Sequence, residues 1–134
     1  MRKYEIDRDM RRPTLGIIVI SVIMFFVALA TDFFWIGRLA GKFPSTMPID
    51  DRVYKAFAAP DLILSIFLYA GALGLLRLKR FGLAAAAVAL GMWLFDSTLV
   101  LGITGLSRIS VVGPSLAFVV LALTQLWAKR DLFE

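Results

Sequence analysis

Apolar residues run along this chain in long blocks, and the charged residues fall mostly between them. A helix rises about 1.5 Å per residue, so a hydrocarbon core of about 30 Å needs about 20 apolar residues in a row. Four blocks reach that length, at about 15–36, 57–76, 81–103 and 109–128. The pattern predicts an all-α fold: an integral membrane four-helix bundle forming one domain over residues 1–134. Arg11 and Arg12 precede the first block, and Ala28-Leu29-Ala30 imitates a cleavage site. The apolar run is long for the core of a signal peptide, so a retained helix is expected.

The connection between the first two blocks is longer than the others. FPSTMP, residues 43–48, is rich in turn formers. After it, Asp50 and Asp51 can cap a short helix, DRVYKAFAA. That helix is expected to lie at the outer interface, with Val53, Tyr54 and Phe57 toward lipid.

Polar residues inside the apolar blocks are the next signal. LILSIFLYAGALGLL, residues 62–76, is 15 residues long, or about 22 Å. It cannot cross the core alone, so the second span must start near Phe57 and draw Asp61 about one turn into the bilayer. Asp32 and Asp96 lie at comparable depths below the outer ends of their own spans. In the fourth span Pro114 frees the carbonyl of Ser110, and Ser115 follows directly. All four helices thus bring polar groups to one layer in the outer half. A mid-span Asp costs about 2.5–3.5 kcal/mol on insertion scales, so Asp96 should face the bundle interior or a watery cavity.

Helical spacing adds to this. Ser21, Ala28 and Asp32 share one face, and Asp61, Ser65 and Tyr69 form an i, i+4, i+8 stripe. Trp93 stands three residues before Asp96, as core packing or as a wall of an acidic pocket. Trp35, Tyr54 and Trp127 fall where an aromatic belt is expected. GLAAAAVALG, residues 82–91, permits close helix contact and predicts a dry cytoplasmic half. Each carboxylate also has a plainer reading. Asp61 after Pro60 is an ordinary helix start. Asp32 can pair with Arg38 or a loop Lys, and Asp96 with Arg108.

Composition sharpens the class. The chain is 60% apolar with a mean hydropathy of +0.81, against roughly 45–50% apolar in soluble domains. It has no Cys and no His, which removes disulfide, thiolate-metal, His-triad and His-shuttle chemistry. The net charge is +5. Its basic residues flank apolar blocks, so they read as topology signals and anionic-lipid contacts rather than a nucleic-acid surface. Ten Lys and Arg, including Arg2, Lys3, Arg8, Arg77, Arg80 and Arg130, fall on one side. Five fall on the other: Arg38, Lys42, Arg52, Lys55 and Arg108. A multi-pass protein of the cell membrane with both termini cytoplasmic is expected.

No catalytic motif is present, and no cofactor is called for. The expected function is binding of a cationic or amphipathic ligand, or of a hard cation such as Ca²⁺, in an acidic outer pocket. Its candidate residues are Asp96, Asp61, Asp32, Trp93, Ser115, Ser65 and Trp35. The alternatives are a proton-coupled transporter or channel subunit, a lipid-acting isomerase or hydrolase using paired Asp, and an accessory subunit of a membrane complex. The expected partners are the bilayer, the ligand, and a second copy or another membrane protein.

Overall fold

A computed structural model describes residues 11–134, and these residues hold helices and turns but no strand. Arg2, Lys3 and Arg8, which enter the charge count above, lie outside the described residues. Helix α1 spans Leu15–Leu39, and the Thr14 side chain accepts a hydrogen bond from the Ile17 N–H at its start. The short helix α2, Asp51–Ala56, begins where Asp50 Oδ1 accepts from the Arg52 N–H at 2.9 Å. Helix α3 is Ala58–Leu76, α4 is Arg80–Thr104 and α5 is Ile109–Ala128. Three stretches are long and apolar enough to cross a membrane: Leu15–Leu39, Asp51–Leu76 and Arg80–Ala128.

The third stretch has 49 residues and is not one straight rod. Gly105 takes φ 62°, and a 3₁₀ turn over Gly105–Arg108 separates α4 from α5. A residue without Cβ enters that left-handed region at least cost. The far ends then meet again. The Arg80 N–H donates to the Glu134 carbonyl at 2.8 Å, and the Glu134 N–H donates to the Leu78 carbonyl at 2.9 Å. Helices α4 and α5 therefore run antiparallel.

The main core is a stack of small and aliphatic side chains. Ile17, Met24 and Ala28 of α1 meet Leu68, Ala72 and Leu75 of α3, Ala86 and Leu90 of α4, and Val119 and Leu126 of α5. The closest approach is between α3 and α4. A Cβ on Gly74 or Gly82 would collide with the backbone of the other, and one on Gly71 would stand 2.9 Å from the Ala86 nitrogen. Only glycine lets two helix backbones come this near. The outward faces carry Phe26, Phe33, Ile36, Phe95 and Leu121, all more than 60% exposed.

A second cluster sits at the other end of the helices, where Trp35, Tyr54 and Ala58 are buried among Phe34, Met47, Ile49, Phe57 and Leu62. Two expectations are corrected here. Tyr54 does not face lipid, and Trp35 is not a belt residue; they are 4% and 2% exposed. The reason is the loop. It folds back over the helix ends, and Gly37 allows Phe43 to lie against α1. The Tyr54 ring gains Trp35 as an edge-to-face neighbour at 5.6 Å, and its hydroxyl gains Thr46 Oγ1 at 3.0 Å. Val53, by contrast, is exposed, and Trp127 is 71% exposed.

Candidate functional site

Asp61 stands in the first turn of α3, behind Pro60. Its side chain does not cap its own helix. Asp61 Oδ2 accepts the Trp35 indole N–H at 2.7 Å, a charge-assisted bond from α1 to α3. Eight residues further along α3, the Tyr69 hydroxyl donates to Asp32 Oδ2 at 2.9 Å. The stripe anticipated on α3 thus crosses to α1 at both ends. Ser65, between them, is buried and donates to the Leu62 carbonyl at 2.8 Å.

Asp96 of α4 differs from these two. It is half-buried, and among the described residues it has no hydrogen bond and no ion pair. It lines two neighbouring cavities together with Asp61 and Phe57. The first, about 220 Å³, also has Trp35, Tyr54 and Arg108 in its wall. The second, about 340 Å³, lies between α3 and α4 and is walled by Pro60, Leu64, Met92 and Phe95. The two carboxylates form part of the partition between the cavities and are close enough to repel each other. Apart from Thr46, Thr104 and Arg108 on the first cavity, the walls around them are aromatic and aliphatic, where a charge is weakly screened.

Three basic residues near this end, Arg38, Lys55 and Arg108, are engaged elsewhere. Arg38 is 6% exposed; it pairs with Asp51, donates to the Phe43 carbonyl at 3.1 Å and lies over the Tyr54 ring. Asp32 is therefore not paired with Arg38 but with Tyr69. Arg108 lines the first cavity, yet its guanidinium donates to the Thr46 carbonyl at 2.8 Å and not to Asp96. Lys55 pairs with Asp51 at 2.9 Å.

The remaining candidates stand apart from the cavities. Asp32 lines neither. Trp93 packs on Phe118 at 5.3 Å between ring centres, against the main core. Ser115 donates to the Val111 carbonyl at 3.3 Å, within its own helix. The cavity walls also include residues that were read from the sequence in other roles. Tyr54 had the signature of a lipid-facing residue, and Thr46 lay in a stretch marked only as turn-rich. The alternation of Val53 and Tyr54 on a helix of one and a half turns was the available hint that one of them faces inward.

Chemically, the arrangement offers two carboxylates, an indole and a phenol ring, and an apolar side cavity. That suits a positive group attached to an apolar body. It suits Ca²⁺ less, because Ca²⁺ takes 6–8 oxygen ligands, and no group of three or more His, Cys, Asp or Glu among the described residues could hold a metal ion. Comparison with family models, curated proteins and solved structures finds no match to the chain. The class rests on the fold alone: an all-helical protein with three helices long and apolar enough to cross a membrane.

Proposed function

We propose that the chain is a four-span protein of the cell membrane, with both termini cytoplasmic, whose outer-half acidic cavity binds a small amphipathic cation. The observation that carries this reading is Asp96, a half-buried carboxylate on the wall of two cavities with no partner among the described residues. An unpaired charge in an apolar wall lowers stability unless a ligand, proton or cation compensates it. Asp61 stands beside it, oriented by Trp35. The fold of Arg80–Ala128 back on itself supports counting four spans rather than three. The apolar outward faces support a bilayer around them.

Binding is favoured over conduction by what lies beneath the cavities. Toward the other end, Gly74 meets Gly82, Gly71 meets Ala86, and Leu68, Leu75 and Ala89 are fully buried. That half is close-packed, and its buried Ser21 hydroxyl is bonded to the Ile17 carbonyl of its own helix, so a through-path would need the helices to separate.

The test uses benzyltrimethylammonium and its neutral carbon isostere, 2,2-dimethylpropylbenzene, with purified protein in detergent. The wild type should bind the cation in preference to the isostere. In Asp96→Asn that preference should fall by about tenfold or more, the equivalent of one charged contact of ~1.5–3 kcal/mol. Equal binding of the cation by wild type, Asp96→Asn and Asp61→Asn would overturn the reading.

A further inference from the structure

A second cavity system lies at the opposite end, on the face between α4 and α5. Its volume is about 430 Å³, and its floor and sides are Leu83, Ala84 and Ala87 of α4 with Leu123 and Leu126 of α5. Ala84 and Ala87 are exposed; with so little side chain they leave a trough between flanking leucines. At the end of the trough stand Arg80, Arg130 and Trp127. The Arg130 guanidinium lies 4.8 Å over the Trp127 ring and donates to the Trp127 carbonyl at 3.0 Å. Arg80 has no ion pair among the described residues; its backbone N–H is what binds Glu134.

We propose that this groove holds an acidic phospholipid, its phosphate between Arg80 and Arg130 and an acyl chain along the Ala84–Ala87 trough. The proposal rests on the membrane reading above but not on the carboxylate cavity. Charge selects the occupant. Among the described residues, seven basic side chains belong to this end, Arg11, Arg12, Arg77, Lys79, Arg80, Lys129 and Arg130, against the acidic Asp131 and Glu134. Glu134 is paired with Arg11 at 3.4 Å. Asp131 stands in the neighbouring opening with Arg11 and Arg80. Guanidinium groups match phosphate oxygens in a bidentate fork, and a Trp beside them suits the headgroup level. The same end is the one assigned to the cytoplasmic leaflet, where anionic lipids gather. A second copy of the chain fits less well. A twofold contact brings the same patch from both subunits together, and Arg80 and Arg130 would then face their own counterparts.

The test is native mass spectrometry of the full chain in detergent, with phosphatidylglycerol and phosphatidylcholine of identical acyl chains. The wild type should retain phosphatidylglycerol at about one tenth of the concentration needed for phosphatidylcholine, the ratio that one charged contact supplies. Arg80→Gln/Arg130→Gln should bring the two lipids within about twofold of each other. Arg77→Gln/Lys79→Gln removes the same charge at the same end outside the groove and should keep the preference. Ala84→Leu/Ala87→Leu, at exposed positions that folding does not depend on, should lose lipid while keeping every charge. Equal retention of the two lipids by the wild type, no effect of the Arg pair, or no effect of filling the trough overturns the proposal. So does a lipid-free dimer that the Leu pair dissociates. Release of the chain from membranes by alkaline carbonate would instead overturn the membrane reading beneath it, a separate result.

Discussion

Replacing Trp35 with Phe separates one hydrogen bond from the packing around it. Trp35 is 2% exposed, and its indole N–H reaches Asp61 at 2.7 Å. Two losses follow from the substitution. Interhelical hydrogen bonds in membrane proteins average about 0.6 kcal/mol, while bonds to charged groups reach about 1.5–3 kcal/mol. A short bond to a half-buried carboxylate belongs between these, at about 1.5 kcal/mol. The smaller ring also leaves a void of roughly 35 Å³, which at ~24 cal/mol per Å³ adds close to 1 kcal/mol. Trp35→Phe should therefore cost about 2.5 kcal/mol. Asp61→Asn behaves differently. The amide oxygen still accepts the indole N–H, and one of two like charges on the cavity wall is removed. Lost charge assistance and relieved repulsion offset each other, so the net change should stay within about 0.5 kcal/mol. In the Trp35→Phe background only the relief remains, which gives a coupling of about 1 kcal/mol in a double-mutant cycle. Unfolding in detergent, followed by helical circular dichroism, measures all four proteins without relying on Trp35 fluorescence. Should the coupling vanish, the indole bond does not hold α1 to α3.

Three further outcomes are expected. Gly82→Leu forces a side chain into the Gly74 backbone and should cost about 3 kcal/mol or more, seen as a lower unfolding temperature; a neutral result would refute the backbone contact. Arg38→Gln removes the Asp51 pair and loosens the grip on the Phe43 carbonyl. Tryptic cleavage after Lys42 should then quicken about tenfold, as a local opening made easier by ~1.4 kcal/mol requires, and an unchanged rate would mean that the loop is held by its aromatic contacts alone. Because the chain has no Cys, single substitutions are uniquely reactive. Ser45→Cys and Ser107→Cys should react with a membrane-impermeant maleimide from outside intact cells while Lys79→Cys should not, and the opposite pattern would invert the topology.

The long helices were legible because length and charge punctuate them. The sequence places breaks near 36, 57, 81 and 109, and the helices begin or end within about three residues of each, the usual uncertainty at helix ends. The contact between small residues was legible too, since GLAAAAVALG can approach a neighbour closely and Gly74 supplies the complementary gap. The site was harder. Depth along a helix can be counted from its end, so Asp32, Asp61 and Asp96 fell into one layer. Depth says nothing about direction around the axis. The partner of Asp32 is Tyr69, 37 residues away, and no local pattern encodes that pairing. Trp35 and Tyr54 were misread for a related reason. Amphipathic aromatics suit an interface whether they face lipid or protein, and only the return of the loop over the helix ends decides between the two.

The two ends of the molecule are connected through α3 and α4. At one end Gly74 and Gly82 bring these helices into backbone contact. At the other, Leu64, Met92 and Phe95 of the same helices line a cavity of about 340 Å³. In a bilayer the lipid tails are as apolar as the core, and helix association comes from packing contacts. The tight half supplies those contacts through Leu68, Leu75, Ala86 and Ala89, all fully buried. The other half has its own aromatic cluster around Trp35 and Tyr54, and beside it Asp96 stands where nothing in the described chain bonds to it. Such a division lets one part of a small protein keep the fold while another carries a carboxylate without a partner among the described residues, and on the proposed reading the ligand's positive group belongs at Asp96 rather than at Asp32, whose carboxylate is already bonded within the fold.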